Sequence, residues 1–84
     1  HWRKIQNSEA ILVLNEDVKG IRHYVGGNSF LEMGFAHILD LPIYMLHPVP
    51  GMPYDSEMAA MDPIVIDGDL SRIPLRARAR RERA

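Results

Sequence analysis

The sequence contains no cysteine. That excludes a disulfide framework, a thiolate metal site and a cysteine nucleophile. Long apolar runs are also missing. None approaches the roughly 18 residues needed to cross a bilayer, and the first ten residues lack the apolar core of a secretory signal. These absences lead to the expectation of a cytoplasmic setting with no membrane partner. A large net charge is absent too, at −1 over 84 residues. The balance hides a division, because residues 1–71 carry four basic residues against ten acidic ones, whereas residues 72–84 carry six arginines against Glu82. An acidic body precedes a basic tail.

What is present, 46% hydrophobic and 25% charged residues, describes one small domain or a piece of a larger one. A chain of this length buries only about 60–65% of its unfolded surface, near the lower range for a single core. It opens without methionine inside a helical pattern, with Trp2 and Ile5 on one face over residues 1–9. A truncated chain is the expectation.

Ala10-Ile-Leu-Val-Leu14 is a continuous apolar run stopped by Asn15-Glu16-Asp17, the pattern of a strand buried on both faces of a parallel sheet. A loop punctuated by Gly20, Gly26 and Gly27 follows. Helix signals then begin, with Asn28 or Ser29 as candidate caps and apolar residues at helical spacing from Phe30 to Leu39. The helix is expected over about 29–40, bounded by Pro42. Pro42-Ile-Tyr-Met-Leu46 reads as a second strand, and strand, helix and strand make a βαβ unit with a parallel pair. His47 to Pro53 holds three prolines and a glycine and can only be a loop. A short helix over about 56–61, capped by Asp55 or Ser56, and a third strand at Pro63-Ile-Val-Ile66 complete the body. The tail from Arg72 alternates arginine and alanine without an apolar face, so residues 72–84 are expected to be disordered or frayed. Interleaved aromatics and a recognition helix are missing, and nucleic acid is not an expected partner.

In open parallel sheets ligands sit beyond the carboxyl ends of the strands. Asn15-Glu16-Asp17, the turn from Gly26 to Glu32, and the segment from His47 to Tyr54 all fall there. Gly26-Gly27-Asn28-Ser29 can bring backbone amides at a helix start close to an anion, although neither a Walker loop nor a dinucleotide fingerprint is present. Glu32 is expected in the first helical turn. A carboxylate there is either stabilised by the helix dipole, by about 0.3–1 kcal/mol, or it faces the strand-end cleft as a nucleophile. Glu16 and Asp17 read first as solvated loop charge. His23 and His47 have no partner at ligand spacing, so no metal site is expected. Tyr24 and Tyr54 could stack on a base or simply pack at the rim, and Met33, Met45, Met58 and Met61 suit a core or a subunit contact.

The run Ile11-Leu-Val-Leu-Asn15, then Gly26-Gly-Asn-Ser-Phe-Leu-Glu-Met-Gly-Phe-Ala36, then Leu41-Pro-Ile-Tyr-Met-Leu46 resembles the nucleoside 2-deoxyribosyltransferase family. The likeness covers about residues 9–71 and extends to small, largely uncharacterised members. It implies a flavodoxin-like (Rossmann-like) three-layer α/β domain with a parallel sheet, incomplete at its N-terminus because the first strand and its loop would lie upstream of His1. It also implies transfer or hydrolysis at the sugar C1′, with Glu32 as catalytic nucleophile and Asn15, Asp17, Gly26, Gly27, Asn28 and Ser29 around a nucleoside or nucleotide. No cofactor is implied, and a homo-oligomer is. The chain departs from the pattern where Gly26 replaces an aspartate that handles the base, and where Asn15 stands at a strand end often held by aspartate. These departures keep a second reading open, a non-catalytic nucleotide-binding or oligomerisation module of the same fold.

Overall fold

The computed structural model describes residues 10–74 and, for the backbone alone, residues 79–83. The helix expected over 1–9 lies outside the described residues. Strand β1 (Ala10–Leu14) is parallel to β2 (Ile43–Met45), with Ile11 opposite Ile43 and Val13 opposite Met45. Strand β3 (Ile64–Val65) extends the sheet in parallel from β2. On the other side of β1 lies β4 (Ala79–Arg83), also parallel, in the order β3-β2-β1-β4. The result is an α/β fold with an all-parallel sheet, compatible with part of a flavodoxin-like domain.

Strand β4 corrects the expectation of an irregular tail for its own five residues. Sequence period reports which face is buried, but a parallel ladder is made by backbone groups that every non-proline residue carries. An arginine-rich segment can therefore pair without an apolar pattern.

The alternation along β1 divides the core. Ile11 and Val13 join Ile43, Met45, Val25, Met33, Ala36 and Met58 on one side, while Ala10 and Leu12 join Tyr44 and Ile66 on the other. A strand wedged between two apolar clusters needs no polar face. The unbroken Ala-Ile-Leu-Val-Leu run follows from that.

Helix α1 (Gly27–Ile38) packs on the first cluster through Met33 and Ala36. It starts two residues before the expected position, and its cap is Gly26, whose carbonyl accepts from the Phe30 amide at 2.9 Å. Neither Asn28 nor Ser29 caps it. The early start moves Glu32 into the second turn, where the dipole effect has largely faded.

The C-terminus of α1 is closed by Asp40 in the left-handed region (φ 58°). The Asp40 amide donates to the His37 carbonyl at 3.1 Å and the Leu41 amide to the Ala36 carbonyl at 2.9 Å, the two bonds of a Schellman motif. Helix α2 (Asp55–Ala60) ends in the same way at Asp62 (φ 57°), whose amide reaches the Ala59 carbonyl. There Pro63 has no amide to make the second bond. Its start is capped by no side chain, contrary to expectation, and the N-cap residue is Tyr54.

A 3-10 turn (Leu70–Arg72) follows β3. The Ser71 hydroxyl and amide both donate to Asp69, at 2.6 and 3.0 Å. These bonds, with help from Arg72, hold the Asp69 carboxyl below the ordinary carboxylate range. Arg72 also meets Asp67 at 3.3 Å on the surface, so the first arginine of the basic tail is tied to the acidic body. Among the described residues no helix is long and apolar enough to cross a membrane.

Candidate functional site at the strand ends

Beyond the carboxyl end of β1, Asn15 is completely buried. Its Oδ1 accepts from the His47 amide at 2.9 Å, and its Nδ2 donates to the carbonyls of His47 at 2.9 Å and Pro48 at 3.2 Å, with a longer contact to His23 at 3.4 Å. One side chain thereby joins the end of β1 to the loop that leaves β2. The residue expected to touch substrate spends its hydrogen-bonding groups on the protein itself.

Asp17 is exposed and does related work, because its Oδ1 accepts from the His23 amide at 3.0 Å. His23 itself has φ 56°, a left-handed conformation that a non-glycine residue adopts only when its surroundings hold it there. Asp17 and Asn15 supply that hold from the two sides of the residue. Between Asp17 and His23 the chain makes a two-residue hairpin, in which Val18 and Ile21 exchange both backbone bonds around Lys19 (φ 48°) and Gly20 (φ 80°). Positive φ at both central positions is the requirement of a type I′ turn.

The imidazole rings of His23 and His47 stack with centroids 4.6 Å apart and an interplanar angle of 18°. No local sequence signal marks this pair, whose two loops are also joined through Asn15. Among the described residues no group of three histidine or carboxylate side chains is placed to hold a metal ion.

A second tie runs from Tyr54, whose hydroxyl donates to the Val25 carbonyl at 2.6 Å while its ring lies 4.5 Å from that of Phe30. Burial raises the Tyr54 phenol above its ordinary value, and nearby Tyr24 adds to the shift. Tyr54 is thus a brace for the turn into α1. The three segments singled out in the sequence meet at one edge of the sheet.

At that edge the buried stripe of α1 reads Ser29, Glu32, Met33, Ala36. Ser29 is 2% exposed and Glu32 6%. The i, i+3 spacing sets them as neighbours on one face. Gly26 is buried, while Gly27 and Asn28 are exposed. A Cβ built on Gly27 would meet nothing within 4 Å, so packing does not demand a glycine there. An open hollow of about 300 Å³ lies farther along, lined by Val49, Pro50, Gly51, Asp55, Ser56 and Ala59. None of the seven candidate residues lines it.

Compared with protein families, curated proteins and solved structures, the chain matches none of them.

Proposed function

We propose that the protein is a cytoplasmic nucleoside or nucleotide N-glycosyl transferase or hydrolase with Glu32 as nucleophile. The observation that carries the reading is the occupation of two of the four buried stripe positions of α1 by Ser29 and Glu32. Removing a carboxylate from water is costly unless it is paired and hydrogen-bonded, so apolar packing is not what puts one on this stripe. Polar side chains on a buried helix face are a place to look for function.

The chemistry follows from that placement. A Glu32 oxygen attacks C1′ while the C1′–N bond breaks and its electron pair leaves with the base, giving a glycosyl ester. A second base or a water then attacks C1′, the ester bond breaks to restore the carboxylate, and the proton that the attacking group loses is the one the departed base takes up. Two displacements on one carbon retain its configuration, and an anion beside the carbon stabilises an oxocarbenium-like transition state. Ser29, one turn earlier, is suited to hold the carboxylate or a sugar hydroxyl. The amides of Gly27 and Asn28 at the start of α1 suit an anionic group.

Incubation with deoxynucleosides and deoxynucleotides tests the reading. Base release or exchange is expected, with an adduct of one sugar on the protein by mass spectrometry, and both should vanish in Glu32→Gln and Glu32→Ala. Absence of release and exchange, or release that survives Glu32→Ala, sinks the proposal.

The internal bonding of Asn15 favours a second reading, a nucleotide-binding module without turnover. An amide cannot take up a proton at neutral pH, and this one is already bonded within the fold. Calorimetry separates the two readings, since tight nucleotide binding without base release supports the second.

A further inference from the structure

The loops that leave β1, β2 and β3 lie one against the next through His23, His47 and Gly68. The ring of His23, in the loop after β1, stacks on that of His47, in the loop after β2, with centroids 4.6 Å apart. The turn after β3 borders the same ring, because a Cβ built on Gly68 would come to 4.0 Å from His47 Cε1. That turn is fixed to the end of β2, where the Gly68 amide donates to the Leu46 carbonyl at 2.7 Å. Both histidines are only half-buried, so protons from solvent reach them.

Histidine is the side chain that changes charge between about pH 8 and pH 5. One proton on the stack adds a single charge, whereas two set like charges 4.6 Å apart, and these repel. The neighbouring loops hold little to offset that. The loop after β1 carries Glu16 and Asp17 against Lys19 and Arg22, the turn after β3 carries Asp67 and Asp69 against Arg72, and residues 47–53 carry no carboxylate, lysine or arginine. All seven charged side chains are exposed. Asp17 already accepts from the His23 amide, and Asp67 and Asp69 already share Arg72. The phenols of Tyr24 and Tyr54 gain no charge under acid. His23 also has a reason to move, since its φ of 56° is costly for a residue with a side chain. Its loop relaxes once the stack no longer holds it.

We propose that the stacked pair is a pH-sensitive latch on the strand-end edge, closed while it holds no more than one proton and opened by the second. The direction follows from charge. Neutral solution keeps the loops after β1 and β2 together, and mild acid parts them. Asn15 is bonded to both loops, so opening also draws on its bonds and lets solvent reach the end of β1. The inference stands on the stacked rings alone and is independent of the chemistry proposed for Glu32.

Nuclear magnetic resonance of the full chain tests the latch. A ring-to-ring Overhauser contact between His23 and His47 is expected at about pH 8 and should be lost by about pH 5, while the amide signals of His23, His47 and Gly68 move together over the same interval. His47→Phe keeps an aromatic ring for the stack but takes no proton, so its ring contact with His23 should survive at the lower pH. His47→Gln removes both ring and proton, and the amide signals of His23 and Gly68 should then no longer move together. A native ring contact that persists at about pH 5 would overturn the proposal. So would its loss in His47→Phe over the same interval, or concerted movement that continues in His47→Gln, since either would assign the acid response to Asp17, Asp67 and Asp69 rather than to the stack.

Discussion

The inner and outer faces of α1 each contradict the ordinary rule, and in opposite directions. The inner face buries a carboxylate and a hydroxyl beside Met33 and Ala36, and the outer face leaves Leu31 and Ile38 in water. On an amphipathic helix the polar residues would be outside and the apolar ones inside. Met33 and Ala36 fasten the helix to the sheet through the first apolar cluster. Ser29 and Glu32 take the other half of the inner stripe, where a reactive carboxylate is proposed.

The largest expected effect tests whether the two faces differ as described. Met33→Ala removes a fully buried anchor of the first cluster and should cost about 2–5 kcal/mol. Ile38→Ala at the same helix, measured at low protein concentration, should stay within about 0.5 kcal/mol. Equal losses in urea denaturation would show that the outer face is packed by the chain itself, and the contrast would collapse.

The next effect compares two buried polar groups, one bonded to distant loops and one on the inner face of α1. Asn15→Ala leaves the His47 amide and the carbonyls of His47 and Pro48 without their partner, and should cost about 2–3 kcal/mol. The isosteric Glu32→Gln should change stability much less while abolishing turnover. If Glu32→Gln unfolds the chain as readily as Asn15→Ala, the inner face is structural throughout.

The smallest effect concerns the brace beside α1. Tyr54→Phe should cost about 1 kcal/mol through the lost bond to Val25. The folded state holds the phenolic proton more tightly than the unfolded chain, because its pKa is raised. Its contribution is therefore complete below the ordinary tyrosine value of 10.0 and is lost as pH rises through the raised one. Alkaline melting curves of the native protein should fall in that window more steeply than those of Tyr54→Phe. Parallel curves would remove Tyr54 from the account.

Much of the fold was legible because its signals are local. The apolar run from Ala10 to Leu14 matches β1 residue for residue. Pro42 and Pro63 both stand immediately before strands, although the observed strands are shorter than the apolar runs suggested. The start of α1 was misplaced because Asn28 and Ser29 looked like caps, whereas an uncapped glycine begins the helix and Ser29 is turned to the buried stripe. Strand β4 escaped notice because backbone pairing leaves no trace in side-chain pattern. At the site, the gathering of three segments on one edge followed from strand polarity, and a helix carrying Glu32 was legible in the spacing of its apolar residues. The internal duties of Asn15 and Asp17 were not. Whether a polar side chain serves the protein or a ligand depends on carbonyls supplied by distant loops, and spacing along one strand does not contain them.

The bonds of Asn15 have a consequence in time as well as in space. A side chain that holds one loop through His23 and another through His47 and Pro48 makes their release a single event, since neither can leave without breaking part of the same set of bonds. Hydrogen exchange then reports the two loops as one opening unit. The protected amide of His47, remote from α1 in the chain, becomes a clock for how often the whole strand-end edge admits solvent.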